Sequence, residues 1–137
     1  MTQTIVASGL VATEPQINKT TKGDTVVSFR MACSGRRFNQ DEGNWEDTPT
    51  NWYTVVCFRR LADHVGDSIA KVDRVLVRGK VRIRDWDNGE RSGTTVEIDA
   101  DSLGHDLMFG TSEFNRVGFE KEAQEQEEDL EAELQPA

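Results

Sequence analysis

Along Val75 to Trp86, "VLVRGKVRIRDW", a cationic side chain recurs at every second position. Arg78, Lys80, Arg82 and Arg84 hold the even places and Trp86 closes the series, while Val75, Val77, Val81 and Ile83 hold the odd ones. A period of two is that of a β-strand, whose alternate side chains point to opposite faces. One face is then branched aliphatic. The other is a row of charge about 20 Å long, at about 6.6 Å per same-face step. Guanidinium and ammonium groups so spaced suit the backbone of an extended polyanion, and an indole at the end offers a flat surface on which a base can stack. A row of Lys and Arg also serves as the solvated face of an edge strand. Here no acid interrupts the row before Asp85, which falls on the opposite face, and solvated faces seldom carry a Trp. Both features favour binding.

A second set of rings lies in "NWYTVVCF", Asn51 to Phe58. Trp52, Thr54, Val56 and Phe58 share one parity, Tyr53, Val55 and Cys57 the other, and Phe58 runs directly into Arg59 and Arg60. If the rings were core, Tyr53, Val55 and Cys57 would face water. Val55 and Cys57 already make a sound core face, so Trp52 and Phe58 are expected to face outward as stacking platforms. In the polar stretch from Gly35 to Thr50, Phe38 beside Arg36 and Arg37 is a further platform. It is favoured over Trp45, which Asp41, Glu42, Glu46 and Asp47 surround.

The acids offer less. Glu97, Asp99 and Asp101 line one strand face, and a metal-dependent nuclease could hold a divalent cation with such carboxylates. Their spacing of about 6.6 Å is long for shared coordination, and no neighbouring His or Lys supplies a base. A solvent-facing acidic row is the expectation. His64 and His105 have no partner pattern, and no nucleophile motif, phosphate-cradling glycine loop or Cys/His metal spacing occurs. No catalytic residue, metal or cofactor is therefore expected. A protein-interaction module that has lost nucleic acid binding is the reading from another class, and the retained rings and cations argue against it. Rings stack on DNA and RNA alike, so these residues leave the two undistinguished.

The elements that must position these groups follow from the rest of the chain. Its 137 residues suit one domain and a tail. No apolar run reaches the length of a membrane span, and "MTQTIVASGLVATEP" lacks an export pattern, so a cytoplasmic location is expected. Cys33 and Cys57 read as two buried thiols in a reducing compartment. The net charge of -9 divides unevenly. Residues 1–111 hold 14 bases and 16 acids, whereas residues 112–137 hold 2 and 9.

Alternating segments mark strands at "TIVASGLVA", with Gly9 as a bulge or close approach, and at "TVVSFRMACS" and "NWYTVVCF". "GRRFNQDEGNWEDTPT" reads as a long hairpin tip. In "RLADHVGDSIAKV", Leu61, Val65, Ile69 and Val72 recur at helical spacing. "VLVRGKVRIRDW" and "TTVEIDADSL" supply two further strands, joined by a turn centred on Asn88-Gly89. An all-β chain of five strands, with one short helix between the third and fourth, is the order of the OB-fold barrel, whose open face binds oligonucleotides or oligosaccharides. Residues 1–111 are assigned to that domain. Residues 112–137 are assigned to an acidic tail, disordered or forming a fraying helix.

From about Ile5 to Gly110 the chain resembles the bacterial single-stranded DNA-binding proteins. "GLVATEP", "TNWYTVVCFRRLAD" and "VLVRGKVRIRDW" carry the resemblance. In that family a Trp opens the third strand, a Phe follows six residues later, and a Trp ends the fourth strand after a basic run. Trp52, Phe58 and Trp86 fill those places, and Tyr53 stands where a His often follows the first Trp. A fourth family platform, after the second strand, falls near Arg37–Phe38.

The resemblance implies sequence-independent binding of single-stranded DNA in replication, recombination or repair. Trp52, Phe58, Trp86 and Phe38 would stack bases, and Arg37, Arg59, Arg60, Arg78, Lys80, Arg82 and Arg84 would neutralise phosphates. It also implies a cytoplasmic, nucleoid-associated homotetramer whose first strands, here about Thr4 to Val11, pair between subunits. Family members usually end in an acidic Ile-Pro-Phe tip that docks replication and repair proteins. This chain closes on "EAELQPA", so those partners are not expected, and it resembles a short-tailed paralogue.

Overall fold

Alternation of apolar and polar residues lays down most of the backbone in the computed structural model, which describes residues 3–117 and 120–134. In chain order the elements are β1 (Gln3–Val11), β2 (Gln16–Lys19), β3 (Thr25–Cys33), β4 (Arg36–Asn39), β5 (Asn44–Asp47), β6 (Asn51–Phe58), α1 (Arg59–Ser68), β7 (Arg74–Asp87), β8 (Ser92–His105) and α2 (Glu120–Leu134). The five strands and the helix expected from the sequence are β1, β3, β6, α1, β7 and β8. Three short strands join them. β2 extends the sheet beside β3, and β4 and β5 pair with each other, so the polar loop is indeed a hairpin.

Strand order runs β1-β7-β8-β6-β3, and β1 returns to β3 through Leu10↔Ala32 and Val11↔Met31, so the sheet closes. Every pairing is antiparallel except β6 with β8, which run parallel at Thr54↔Glu97, Val55↔Ile98 and Val56↔Asp99. This is the OB-fold barrel. Its interior takes one parity from each strand: Val11, Val27, Met31, Val55, Cys57, Val75, Val77 and Ile98 are fully buried, with Phe29 nearly so. Ala62 and Val65 of α1 and the following Ile69 join that core. Each such aliphatic is worth about 1.5–3 kcal/mol relative to exposure. Burial pushes the Cys57 thiol up to about 12 and raises that of the partly buried Cys33, and both cysteines are free. Among the described residues no helix is long and apolar enough to cross a membrane.

Gly9 sits where β1 leaves β7 for β3. A Cβ there would lie 2.7 Å from the Ala32 carbonyl oxygen and 2.8 Å from Cys33 Sγ. Only a hydrogen fits, which is the close approach its place in the strand implied.

The structure departs from expectation in three places. α1 ends at Ser68, so Val72 is not on its apolar stripe. It stands exposed at φ 77° in the turn that follows, its N–H donating to the Val11 carbonyl. Ile83 is 65% exposed rather than core, because β7 and β8 stay paired as far as Asp87↔Ser92, past the part of the sheet that packs on the interior. The turn between them is a four-residue loop, Asn88 to Arg91, rather than two residues. Asn88 Oδ1 accepts from the N–H groups of Glu90 and Arg91 there, and Gly89 takes φ 90°. In the tail, residues 120–134 are helical, the second of the two forms expected of it. Residues 118–119 and 135–137, with the end of "EAELQPA", lie outside the described residues.

Gly9→Ala should lower stability by about 1–3 kcal/mol through overpacking. Gly104→Ala, whose Cβ meets nothing within 4 Å, should stay within about 0.5 kcal/mol of wild type. Urea denaturation of both variants checks this, and equal midpoints would remove the close approach at Gly9.

Candidate nucleic-acid interface

With one parity committed to the interior, the other faces water. The β3–β6 register sets Arg30 opposite Thr54 and Ala32 opposite Trp52. β6 meets β8 at Thr54↔Glu97 and Val56↔Asp99, and β8 meets β7 at Glu97↔Arg82 and Asp99↔Lys80. Directly opposed residues share a face. Trp52 and Phe58 of β6 therefore lie on the same outward surface as Arg78, Lys80, Arg82, Arg84 and Trp86 of β7, with β8 between. Trp52, Phe58 and Trp86 are 49%, 46% and 44% exposed, each ring half covered and half open.

Two of these rings have partners that the sequence did not disclose. The Arg30 guanidinium lies 5.5 Å from the centre of the Trp52 ring, a cation–π contact across β3 and β6. Trp86 lies against Gly93, its partner in the β7–β8 ladder. A Cβ on Gly93 would come within 2.7 Å of Trp86 Cζ2 and 3.0 Å of Cε2. The missing side chain is thus the seat of the indole.

The acids change the reading of the cation row. Asp101 pairs with Arg78 at 3.0 Å, Asp99 with Arg82 at 3.0 Å, and Glu97 with Arg84 at 3.4 Å. The expected solvent-facing acidic row is instead a ladder of ion pairs, with the Glu97 side chain only 15% exposed. The cause is register: from Gly79↔Ala100 outward, antiparallel pairing sets even residues of β7 against odd residues of β8, and Asp101, in the bulge between Gly79 and Arg78, still reaches Arg78. Of the four cations, Lys80 alone has no carboxylate within 4 Å among the described residues. The Arg78–Asp101 pair, exposed on both sides, contributes about 0.2–1 kcal/mol to stability. The larger effect of the three pairs is on the charge a ligand meets.

The remaining candidates are dispersed. Phe38 and Trp45 oppose each other on the β4–β5 hairpin, ring centres 5.5 Å apart at 65°, so they form one edge-to-face unit and neither stands apart. Arg37 and Arg36 are tied to Glu46 at 2.9 Å and Asp47 at 3.5 Å. The acids that set Trp45 aside thus neutralise the arginines beside Phe38. Arg59, at φ 60°, lies 3.7 Å from Asp24. Arg60 belongs to α1, in a groove with His64, Asp67 and Phe114, rather than to the sheet row. Among the described residues no group of three His, Cys, Asp or Glu could hold a metal ion.

The architecture is that of an OB-fold barrel with rings and cations on its open face. The chain belongs to the single-strand binding protein family, which residues 2–106 match. This is a family of binding proteins, not enzymes. A protein named single-stranded DNA-binding protein 2, from Tropheryma whipplei, is 45% identical over 112 residues, covering 82% of this chain and 74% of its own. One of the same name from Streptomyces avermitilis is 38% identical, covering 85% and 73%. The crystal structure of a small single-stranded DNA-binding protein from Streptomyces coelicolor superposes with a TM-score of 0.73 at 36% identity, over 80% of this chain and 98% of that one.

Gly93→Val should lift Trp86 from its seat without unfolding the barrel. In a Trp45→Phe/Trp52→Phe background, where Trp86 is the sole tryptophan, its emission should shift to the red while the far-ultraviolet circular dichroism holds. Unshifted emission would show that Gly93 does not position the ring.

Proposed function

We propose that this chain binds single-stranded DNA without sequence preference, protecting single strands in replication, recombination or repair. Bases stack on Trp52, Phe58 and Trp86, and on Phe38 from the β4–β5 hairpin. Phosphates are met by Arg78, Lys80, Arg82 and Arg84, with Arg37, Arg59 and Arg60 at the periphery. The observation that carries this reading is the placing of three half-exposed rings on the sheet face that also holds the cation row. Exposed rings on an ordered sheet lose little freedom when a base covers them, and each stacked base is worth about 1–3 kcal/mol whatever its identity. The names of the relatives point the same way.

Binding is assigned to residues 1–111, and residues 112–137 form an acidic appendage. The protein acts in the cytoplasm, at the nucleoid, as a homotetramer. In support of assembly through β1, its residues Gln3 to Ser8 pair with β7 alone among the described residues, which leaves the second edge of that segment open to a strand from another subunit.

Single-stranded oligonucleotide should quench tryptophan emission. Trp52→Ala and Trp86→Ala should each weaken binding about 5- to 150-fold, matching about 1–3 kcal/mol per stacked base. Titrations with single-stranded DNA, duplex DNA and RNA of one sequence measure this and separate the two single-stranded polymers. Unchanged affinity in both variants would take the rings out of the site.

A further inference from the structure

The ion-pair ladder lies inside the proposed interface, not beside it. Glu97 and Asp99 sit on β8 between the β6 rings and the β7 cations, and they share the outward face of both. Asp101 occupies the bulge where the pairing steps from Gly79↔Ala100 to Arg78↔Ser102 and still reaches Arg78 at 3.0 Å. Three of the four cations thus already hold an anion. A phosphate arriving there must displace a carboxylate or sit beside it. Either way one anion replaces or crowds another, and the counterion release that drives polyanion binding is largely forfeited.

This loss does not fall equally on all ligands. A duplex buries the flat faces of its bases in its own stack, so a face like this one can engage it chiefly through phosphates. A single strand brings the same phosphates and also free bases for Trp52, Phe58 and Trp86. The acids reduce the contribution that both ligands share and leave untouched the one that only the single strand has. Specificity is a difference between affinities, and lowering the wrong one serves as well as raising the right one. Resting on the function proposed above, we infer that Glu97, Asp99 and Asp101 are specificity-determining residues, which make the interface reject polyanions without accessible bases. Lys80, with no carboxylate within 4 Å among the described residues, remains to hold a backbone in place.

The test is the full-length Glu97→Gln/Asp99→Asn/Asp101→Asn variant against wild type. Each is titrated over a range of salt with a single-stranded oligonucleotide, its duplex and inorganic polyphosphate. The amides keep side-chain volume and an acceptor oxygen for the arginines while removing the charge. Duplex and polyphosphate affinity should rise about tenfold or more at low salt, and single-strand affinity should rise less, so the preference narrows. The salt slope should steepen by roughly 0.9 per freed cation for duplex and 0.7 for single strand.

If wild type binds single strands and the variant keeps both its preference and its salt slope, the filter is wrong while the function stands. Weaker single-strand binding with no gain for duplex also overturns it, since the acids would then only hold the arginines in place. Wild type that fails to bind single strands overturns the function itself. Should the triple variant lose its circular dichroism spectrum, Asp99→Asn and Asp101→Asn are measured singly, and an unaltered preference in both refutes the filter.

Discussion

A closed barrel has a single interior, and filling it fixes the other parity of every strand. Once Val27 and Met31, Val55 and Cys57, Val75 and Val77, and Ile98 meet inside, their neighbours in sequence must point to water. Trp52 and Phe58 are outside for that reason. Turning them in would expose Val55 and Cys57 and slip β6 by one residue against both β3 and β8, reversing every side chain on the strand. The ring-bearing face is the necessary complement of the core, and its precision comes from the same ladder of backbone hydrogen bonds. Gly9 is one place where this constraint is tight. Without the close approach there, β1 could not leave β7 and reach β3 to close the sheet.

Closure also explains why the chain's overall charge says little about the face a ligand would meet. The net charge of -9 is a sum over the chain, most of it from residues 112–137. The outward face is governed by which charges the register sets side by side. There the arginines of β7 and the acids of β8 alternate at contact distance, giving a surface that is polar, nearly neutral and bordered by rings. Such a surface interacts weakly with a distant polyanion and strongly with a flat, partly apolar ring brought into contact. On such a face, contact between rings at short range counts for more than attraction by charge at long range.

Periodicity made the strands, the helix, the close approach at Gly9 and the outward turn of the rings legible, because each is a property of one segment. What it could not disclose lies between segments. Arg30 reaches Trp52 only because β3 and β6 pair as they do. Phe38 and Trp45 meet because their loop folds into a hairpin, and the same hairpin gives the neighbouring arginines to Glu46 and Asp47. Ile83 alternates like a core residue, yet nothing in its own strand says that β7 outruns the packed part of the sheet. The acid row was recoverable. Any hairpin loop with an even number of residues, the two expected or the four found, sets the even residues of β7 against the odd residues of β8. Glu97 and Asp99 were therefore bound to share the cation face. Only the pairing within that face needed the true length of the loop.

The outer part of the β7–β8 ladder shows why the ring that reaches farthest needs special support. A two-stranded ribbon without core behind it is marginal in water. From Ile83 outward this ribbon has no such backing, and cross-strand side chains must hold it. Arg84 with Glu97 and Trp86 on Gly93 tie the outward face, while Thr94 Oγ1 donates to Asp85 at 2.8 Å on the other. Glu97 consequently has two effects: it steadies the ribbon that presents Trp86, and it cancels charge beside the ring. Asp99 and Asp101 lie nearer the barrel, where β8 is backed by the buried Ile98 and the partly buried Ala100 and Leu103, so their charge is separable from their support of the fold. Residues on one strand face that look equivalent by spacing thus differ in what they hold up, according to how much core lies beneath them.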